Sequence, residues 1–299
     1  MPRMSDVAQA WTVKRLLLWT TEFFTRKNVD PPRLSAELLL AHVLGVQRIK
    51  LYLDFERVPS ARQLHDFREL VRRASEEEPI AYLTGKAHFF NLEFEVTPDV
   101  LIPRPDTETL VENVLQLCRR TAGFETPRVL DLCTGSGCIA AAIAHHNKNS
   151  TVVAADLSSD ALAVAKRNIE RLGLSDRITL LEGDLFEPLT QLVDQHPFDL
   201  VVANPPYIAT AQLESLPRSV RAYEPMLALD GGLDGLSLHR RILAGAMNRL
   251  RSGGRVFLEI AFDQAEIARL LAAEYADFEQ AMILKDYAGN DRVLAMIRT

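Results

Sequence analysis

Phe198-Asp199-Leu200-Val201-Val202-Ala203-Asn204-Pro205-Pro206-Tyr207 is the stretch on which the reading of this chain turns. Up to Ala203 it is apolar apart from Asp199, which predicts a buried strand. The strand stops at Asn-Pro-Pro. Neither proline can donate to a ladder, and each drives the residue before it into an extended shape. A stiff corner results, holding an amide side chain, a backbone carbonyl and an aromatic ring close together. In an open α/β sheet the carboxyl ends of the strands are where ligands bind. The Asn204 oxygen and the Pro205 carbonyl can each accept one hydrogen of an incoming NH2 group, and the Tyr207 ring can cover its flat face.

Strands and helices alternate on both sides of this stretch from about residue 127, the mark of a parallel sheet with crossover helices. Strands are expected at 128–132, 151–155, 178–181, 198–203 and 255–260. Segments 278–284 and 293–297 can close the sheet, joined by a turn at Gly289-Asn290. Helices are expected at 139–145, 161–172, 236–250 and 264–273. The first strand ends in Asp131-Leu132-Cys133-Thr134-Gly135-Ser136-Gly137. Two glycines permit a tight turn and close approach of a ligand to the backbone. The third glycine of a dinucleotide site is replaced by Ala140, and the Lys-Ser/Thr of a triphosphate loop is missing. Asp156 follows at the end of the second strand, where an acid can accept from both ribose hydroxyls. Asp184 closes the third strand, where it can accept from an adenine amino group while Leu185 lies against the ring. These strand ends describe an adenosine pointing at Asn204. With no pyrophosphate loop, S-adenosylmethionine is the best candidate.

Before the sheet, residues 1 to about 75 read as helical. Val13, Leu16, Leu17, Phe23 and Phe24 recur at helical spacing. A second helix from Leu34 to Leu44 stops at Gly45, and Ser60 is placed to cap a third. Pro79 to Gly85 reads as a short helical turn. A hairpin turning near Asn91 follows, in which Leu92, Phe94 and Val96 alternate with Glu93 and Glu95. Asp106 or Thr107 is placed to cap the helix after it.

Of the 299 residues, 47% are hydrophobic and 25% charged, the composition of a soluble globular protein with one large domain or two. The formal net charge is -6 and the pI about 5.7, which argues against a dedicated duplex-DNA binder. Cys118, Cys133 and Cys138 lack the spacing of a metal site or a disulfide framework, so no metal is expected. With neither a signal core nor a membrane-length apolar run, the expected location is cytoplasmic.

The glycine turn, Asp156, Asp184 and Asn204-Pro-Pro-Tyr207 together resemble class I methyltransferases that methylate a planar NH2. The Pro79–Gly85 segment, Ile102-Pro-Arg-Pro-Asp-Thr-Glu108, Glu224-Pro225, Asp230-Gly-Gly-Leu-Asp-Gly235 and Asp286-Tyr-Ala-Gly-Asn-Asp-Arg292 are similar to one branch, the peptide chain release factor glutamine N5-methyltransferases. The resemblance runs from about residue 34 to the end. It implies a Rossmann-like, seven-stranded α/β methyltransferase domain with a small helical N-terminal domain. The divisions expected are a substrate-recognition domain over 1–78, a linker with a small hairpin over 79–105, and the methyltransferase domain over 106–299. It assigns the donor to Cys133, Thr134, Gly135, Ser136, Gly137, Asp156, Asp184, Leu185 and Asn204. The substrate amide falls to Asn204, Pro205, Pro206 and Tyr207, with Asn204, Pro205 and Tyr207 catalytic. The implied substrate is the glutamine of the Gly-Gly-Gln motif of release factors. A monomer with no membrane or stable nucleic-acid partner is expected.

Two positions depart from the family pattern. Cys133 stands where glycine is usual and is expected to fit if its backbone avoids positive φ. Ala261-Phe262 replaces a common glycine turn. Three other readings use the same residues: an adenine N6-methyltransferase acting on nucleic acid, a glutamine methyltransferase acting on a ribosomal protein, and a translation-associated module that binds the donor without turnover.

Overall fold

The computed structural model describes residues 10–193, 196–279 and 281–299. They fall into two compact units, one comprising residues up to Gly85 with Arg218–Tyr223, the other Lys86–Pro217 with Glu224–Thr299.

The first unit is helical: α1 (Val13–Arg26), α2 (Pro32–Leu44), α3 (Lys50–Leu53), α4 (Ala61–Ser75) and α5 (Ile80–Thr84). Its core joins Leu17 and Phe24 of α1, Leu39 and Leu40 of α2, Leu51 of α3, Phe67 and Val71 of α4 and Leu83. The punctuation is chemical. Gly45 and Gly85 close α2 and α5 in the left-handed region. Ser60 and Gln63 form a reciprocal capping box at the start of α4. The expected helices are present, and α3 is an addition too short to leave a periodic signal. The charge run after α4 is an ion-paired helix end, with Arg72 bridging Glu69 and Glu76 and Arg73 bridging Glu78.

The second unit opens with an antiparallel hairpin, β1 (Lys86–Phe89) and β2 (Leu92–Glu95). It turns at Phe90 and Asn91, both at positive φ, as a two-residue hairpin turn requires. Then come α6 (Glu108–Arg120), β3 (Arg128–Leu132), α7 (Cys138–His146), β4 (Thr151–Asp156), α8 (Ser159–Arg171), β5 (Ile178–Glu182) and β6 (Phe198–Ala203). The short helix α9 (Arg218–Arg221) clusters with the first unit. Next are α10 (Ser237–Ala246), β7 (Leu250–Glu259), α11 (Ala265–Ala272), β8 (Met282–Lys285) and β9 (Asp291–Ile297).

The seven-stranded sheet has the order β5-β4-β3-β6-β7-β9-β8. The five strands from β5 to β7 are parallel, and β9 runs antiparallel to both its neighbours. Side chains alternate between two cores. Val129, Val152, Leu200 and Val202 join Leu110, Val114, Ile139 and Ile143 on one face. Leu130, Val153, Val201 and Val256 join Ile242, Leu243, Ala268 and Leu271 on the other. Burial on both faces is why these strands read as continuous apolar runs. Strand order reverses between β3 and β6, so the carboxyl ends of these neighbours flank the topological switch point.

Two expected boundaries differ. The helix expected to reach Leu250 ends at Ala246, and β7 starts at Leu250 and passes through Gly253-Gly254. The glycines lie inside the strand rather than before it. Phe198 pairs with Leu250 but Leu200 with Arg255, so the pairing is irregular there, and Gly253 takes φ +75°. Of the strand expected over 278–284, in which Gln280 lies outside the described residues, Met282 onward is laddered and Phe278 makes an isolated bridge to Arg298.

Candidate active site

The first wall of the site is the turn after β3. Asp131, fully buried, accepts from Thr134 Oγ1 at 2.6 Å and from Ala140 N at 3.2 Å. It thereby ties the strand end to the first turn of α7. Burial without a cation pushes its carboxyl up to about 7. Gly135 is at φ +55° and has open space where a Cβ would sit, so the backbone faces the cavity bare. Gly137, at φ +78°, lies where a Cβ would come 3.2 Å from the Cβ of Ala165, so it lets α7 and α8 pack closely.

Cys133 is at φ 58°. The condition on which it was expected to fit, a backbone that avoids positive φ, is therefore not met. The turn imposes the left-handed conformation that glycine adopts freely, and the cysteine takes it at a steric cost. Burial raises the thiols of Cys133 and Cys138, the latter to about 12, so both stay protonated.

Asp156 Oδ2 accepts from Gly135 N at 2.8 Å and Oδ1 from Ser158 N at 2.9 Å. Each oxygen carries one backbone bond and keeps acceptor capacity for a further donor. Asp184 is paired with Arg241 at 2.7 Å, a cation that sequence reasoning did not foresee. Leu185, at φ 50°, is buried beside it.

At the end of β6, Asn204 Nδ2 donates to Thr107 Oγ1 at 3.1 Å, which leaves the amide oxygen as the group not spent on Thr107. Thr107 precedes α6 without capping it through its side chain. Its hydroxyl serves Asn204 instead. Tyr207 donates its hydroxyl to Glu259 Oε1 at 3.3 Å, and its carbonyl accepts from Gln264 Nε2 at 2.8 Å. Glu259, fully buried at the end of β7, is pushed up to about 7 by burial, with the Thr107 hydroxyl, Arg292 and Tyr207 opposing. His239 holds the Glu259 backbone carbonyl at 2.8 Å, and burial draws its imidazole down to about 4, so it is neutral.

Two further segments brace the corner. Glu224 accepts from Ile102 N at 3.3 Å and pairs with Arg104, joining the prolyl segment before α6 to the loop after α9. Behind the corner lies the loop Asp230 to Gly235. A Cβ on Gly231 would come within 2.7 Å of the Pro206 carbonyl, and one on Gly235 within 2.3 Å of the Tyr207 carbonyl. Only glycine permits that approach. No periodicity marks this loop; its density of glycine and aspartate was the available signal.

These parts surround a cavity of about 340 Å³ lined by Cys133, Thr134, Gly135, Ser136, Asp156, Asp184, Leu185, Asn204 and Pro206, together with Leu101, Ile139, Leu157 and Leu227. Of the residues singled out from sequence, Gly137, Pro205 and Tyr207 lie outside this lining. Gly137 serves packing, Pro205 is buried, and Tyr207 turns its hydroxyl to Glu259.

Sheet order, switch-point cavity and strand-end acids define a Rossmann-like methyltransferase fold. A family model described as methyltransferase small domain matches residues 106–234, and one described as PrmC N-terminal domain matches residues 15–85. The chain is 45% identical over 287 residues to a release factor glutamine methyltransferase of Rhodopirellula baltica, covering 96% of each chain. It is 42% identical over 291 residues to that of Geobacter sulfurreducens, covering 97% of this chain and 98% of the relative. The chain belongs to the release factor glutamine methyltransferase family. Among solved structures, the hMettl16 catalytic domain in complex with MAT2A 3'UTR hairpin 1 shares the fold at TM-score 0.57 and 16% identity, covering 78% of this chain and 80% of that one.

Proposed function

We propose that this protein transfers a methyl group from S-adenosylmethionine to the side-chain amide nitrogen of the glutamine in the Gly-Gly-Gln motif of peptide chain release factors. The observation that carries the reading is the cavity itself, which joins the glycine turn, Asp156 and Asp184 to Asn204 in one space. The residues present fit the donor. A bare glycine backbone, a carboxylate with spare acceptor capacity and apolar side chains at Ile139, Leu157 and Leu185 match a sulfonium nucleoside. Bound there, the donor supplies an electrophilic methyl carbon on a good leaving group.

The protein's own task is orientation. An amide nitrogen is a poor nucleophile because its lone pair is delocalised into the carbonyl. Asn204 Oδ1 and the Pro205 carbonyl each accept one N–H of the substrate amide, aligning the nitrogen. As positive charge builds on that nitrogen, these fixed dipoles stabilise it. Tyr207 holds the corner from outside the cavity lining by two bonds, its hydroxyl to Glu259 and its carbonyl from Gln264. The acids nearest the corner are unsuited to strong base catalysis, since Glu259 is fully buried and Asp131 bonded to the glycine turn. The amide proton leaves to water after transfer.

In this reading the helical N-terminal unit recognises the release factor, the protein acts as a monomer, and the reaction takes place in the cytoplasm. No described helix is long and apolar enough to cross a membrane. The test is methyl incorporation from labelled donor into a release factor, into the same factor with the motif glutamine replaced, and into adenine-containing DNA. Label in the first alone supports the proposal. Label in DNA, or in the glutamine-replaced factor, refutes it.

A further inference from the structure

We propose that Arg241 sets the base selectivity of the methyl-donor cavity: it fixes the Asp184 carboxylate so that the cavity selects a purine carrying an exocyclic amino group. The proposal rests on the reading of that cavity given above.

Each polar group at a strand end of this cavity is steered by a second group. The Asp156 carboxylate has two backbone N–H groups, those of Gly135 and Ser158. The Asn204 amide has the Thr107 hydroxyl. Asp184, just past the end of β5, is fixed along its backbone, where its carbonyl accepts from Glu187 N at 3.0 Å. Among the described residues its carboxylate accepts from Arg241 alone, on Oδ2 from Nη2 at 2.7 Å. That arginine stands on α10, 57 residues later in the chain. Arg104 also lines the cavity, but it is taken by the buried Glu224. Arg240, next to Arg241, is taken by Asp234 at 2.5 Å.

An ionised carboxylate has two accepting oxygens. With Oδ2 spent on Arg241, Oδ1 keeps its capacity for one N–H from the ligand. Asp184 and Arg241 line the same cavity as Leu157 and Leu185, so a flat base laid against the leucines brings its edge to the carboxylate. An amino group on that edge donates to Oδ1. A carbonyl oxygen in its place sets lone pair against negative charge and is repelled. A hydrogen bond to a charged acceptor separates the two by about 10- to 100-fold in affinity. The pair is exposed, with 51% of the Arg241 side chain and 33% of the Asp184 side chain accessible. It therefore adds little to stability, and what it supplies is direction. Without the guanidinium the carboxylate is free to swing toward water, and the discrimination weakens.

The experiment measures the affinity of two ligands by calorimetry: S-adenosylhomocysteine, and its deaminated analogue S-inosylhomocysteine, which carries a carbonyl where adenine has its amino group. The proteins are wild type, Arg241→Gln, Asp184→Asn and the double variant Arg241→Gln/Asp184→Asn. Wild type should prefer the amino ligand by about 10- to 100-fold. Arg241→Gln should weaken the amino ligand about tenfold and move the carbonyl ligand by less than about twofold, so that the ratio falls. Asp184→Asn should abolish the preference, because an amide can also donate to the carbonyl. The double variant should show the same ratio as Asp184→Asn, because Arg241 acts through Asp184. A role in folding alone would weaken both ligands equally and leave the ratio in place. That result, an unchanged ratio in Arg241→Gln, a wild type without preference, or ratio losses that multiply in the double variant would overturn the proposal. Failure of the wild type to bind either ligand would refute the methyl-donor reading of the cavity instead.

Discussion

At the scale of single residues, the site combines strain and buried charge. Cys133 holds a left-handed backbone that glycine takes without cost. Cys133→Gly should therefore not destabilise the protein. It should gain up to about 1 kcal/mol, the relief of a left-handed residue less the entropy that glycine loses on folding. Urea unfolding checks this, and a clear loss of stability would contradict it. Glu259 gives a pH signature. Its folded pKa, about 7, stands above the ordinary 4.5. The native state thus binds more protons than the unfolded chain between those values, and this carboxyl's contribution to stability falls as pH rises from about 4.5 to 7. Glu259→Gln removes the titration. Its stability relative to wild type should improve steadily across that window when unfolding is followed at several pH values, and a flat difference would contradict the assignment.

At the scale of elements, the loop behind the corner sets its position. Gly231 and Gly235 bring their backbones against the carbonyls of Pro206 and Tyr207. Gly231→Ala must displace the corner, because its Cβ would come within 2.7 Å of the Pro206 carbonyl. We expect kcat to fall by about 10²-fold with donor affinity much less affected, since that loop contributes little to the donor end of the cavity. Equal losses in both would point to collapse of the whole cavity. The Ser60 capping box makes a different prediction for the first unit. Ser60→Ala should cost about 1 kcal/mol in thermal unfolding without changing the chemistry.

Elements with a local signature were legible in the sequence. The continuous apolar runs of β3, β4 and β6 were their own signal, Gly45 and Ser60 marked helix ends, and Asn91 marked the hairpin. Boundaries governed by partners were not. Nothing local shows that β7 begins at Leu250, because the irregular pairing around Gly253 depends on β6 lying alongside. The glycine turn, Asp156, Asp184 and the Asn-Pro-Pro corner were visible because each sits at a strand end. Arg241 beside Asp184, Thr107 beside Asn204 and Glu259 beside Tyr207 were not, because those pairs lie 52 to 97 residues apart and meet only when the sheet forms. Cys133 shows the converse. Its identity was plain, but its φ is imposed by the turn.

At the scale of the whole molecule, all the residues lining the donor cavity belong to the second compact unit. The core of the first unit is separate, with Leu39 among its fully buried side chains. Leu39→Ala should cost about 2 to 5 kcal/mol of stability in that unit, while donor affinity well below the melting range stays within about twofold by calorimetry. A large loss of affinity would show that the first unit shapes the donor site. Its effect is expected instead in KM for the release factor.

The central claim is that the Asn204 oxygen orients a substrate amide in front of a donor held by other residues. Its most direct test is the kcat of Asn204→Ala on a release factor, with the methylated glutamine located by mass spectrometry and donor affinity measured on the same preparation. The account predicts a barrier raised by about 2 to 4 kcal/mol, the size of a lost preorganised dipole, while donor binding is largely kept. A variant that methylates the same glutamine at the wild-type rate would contradict it.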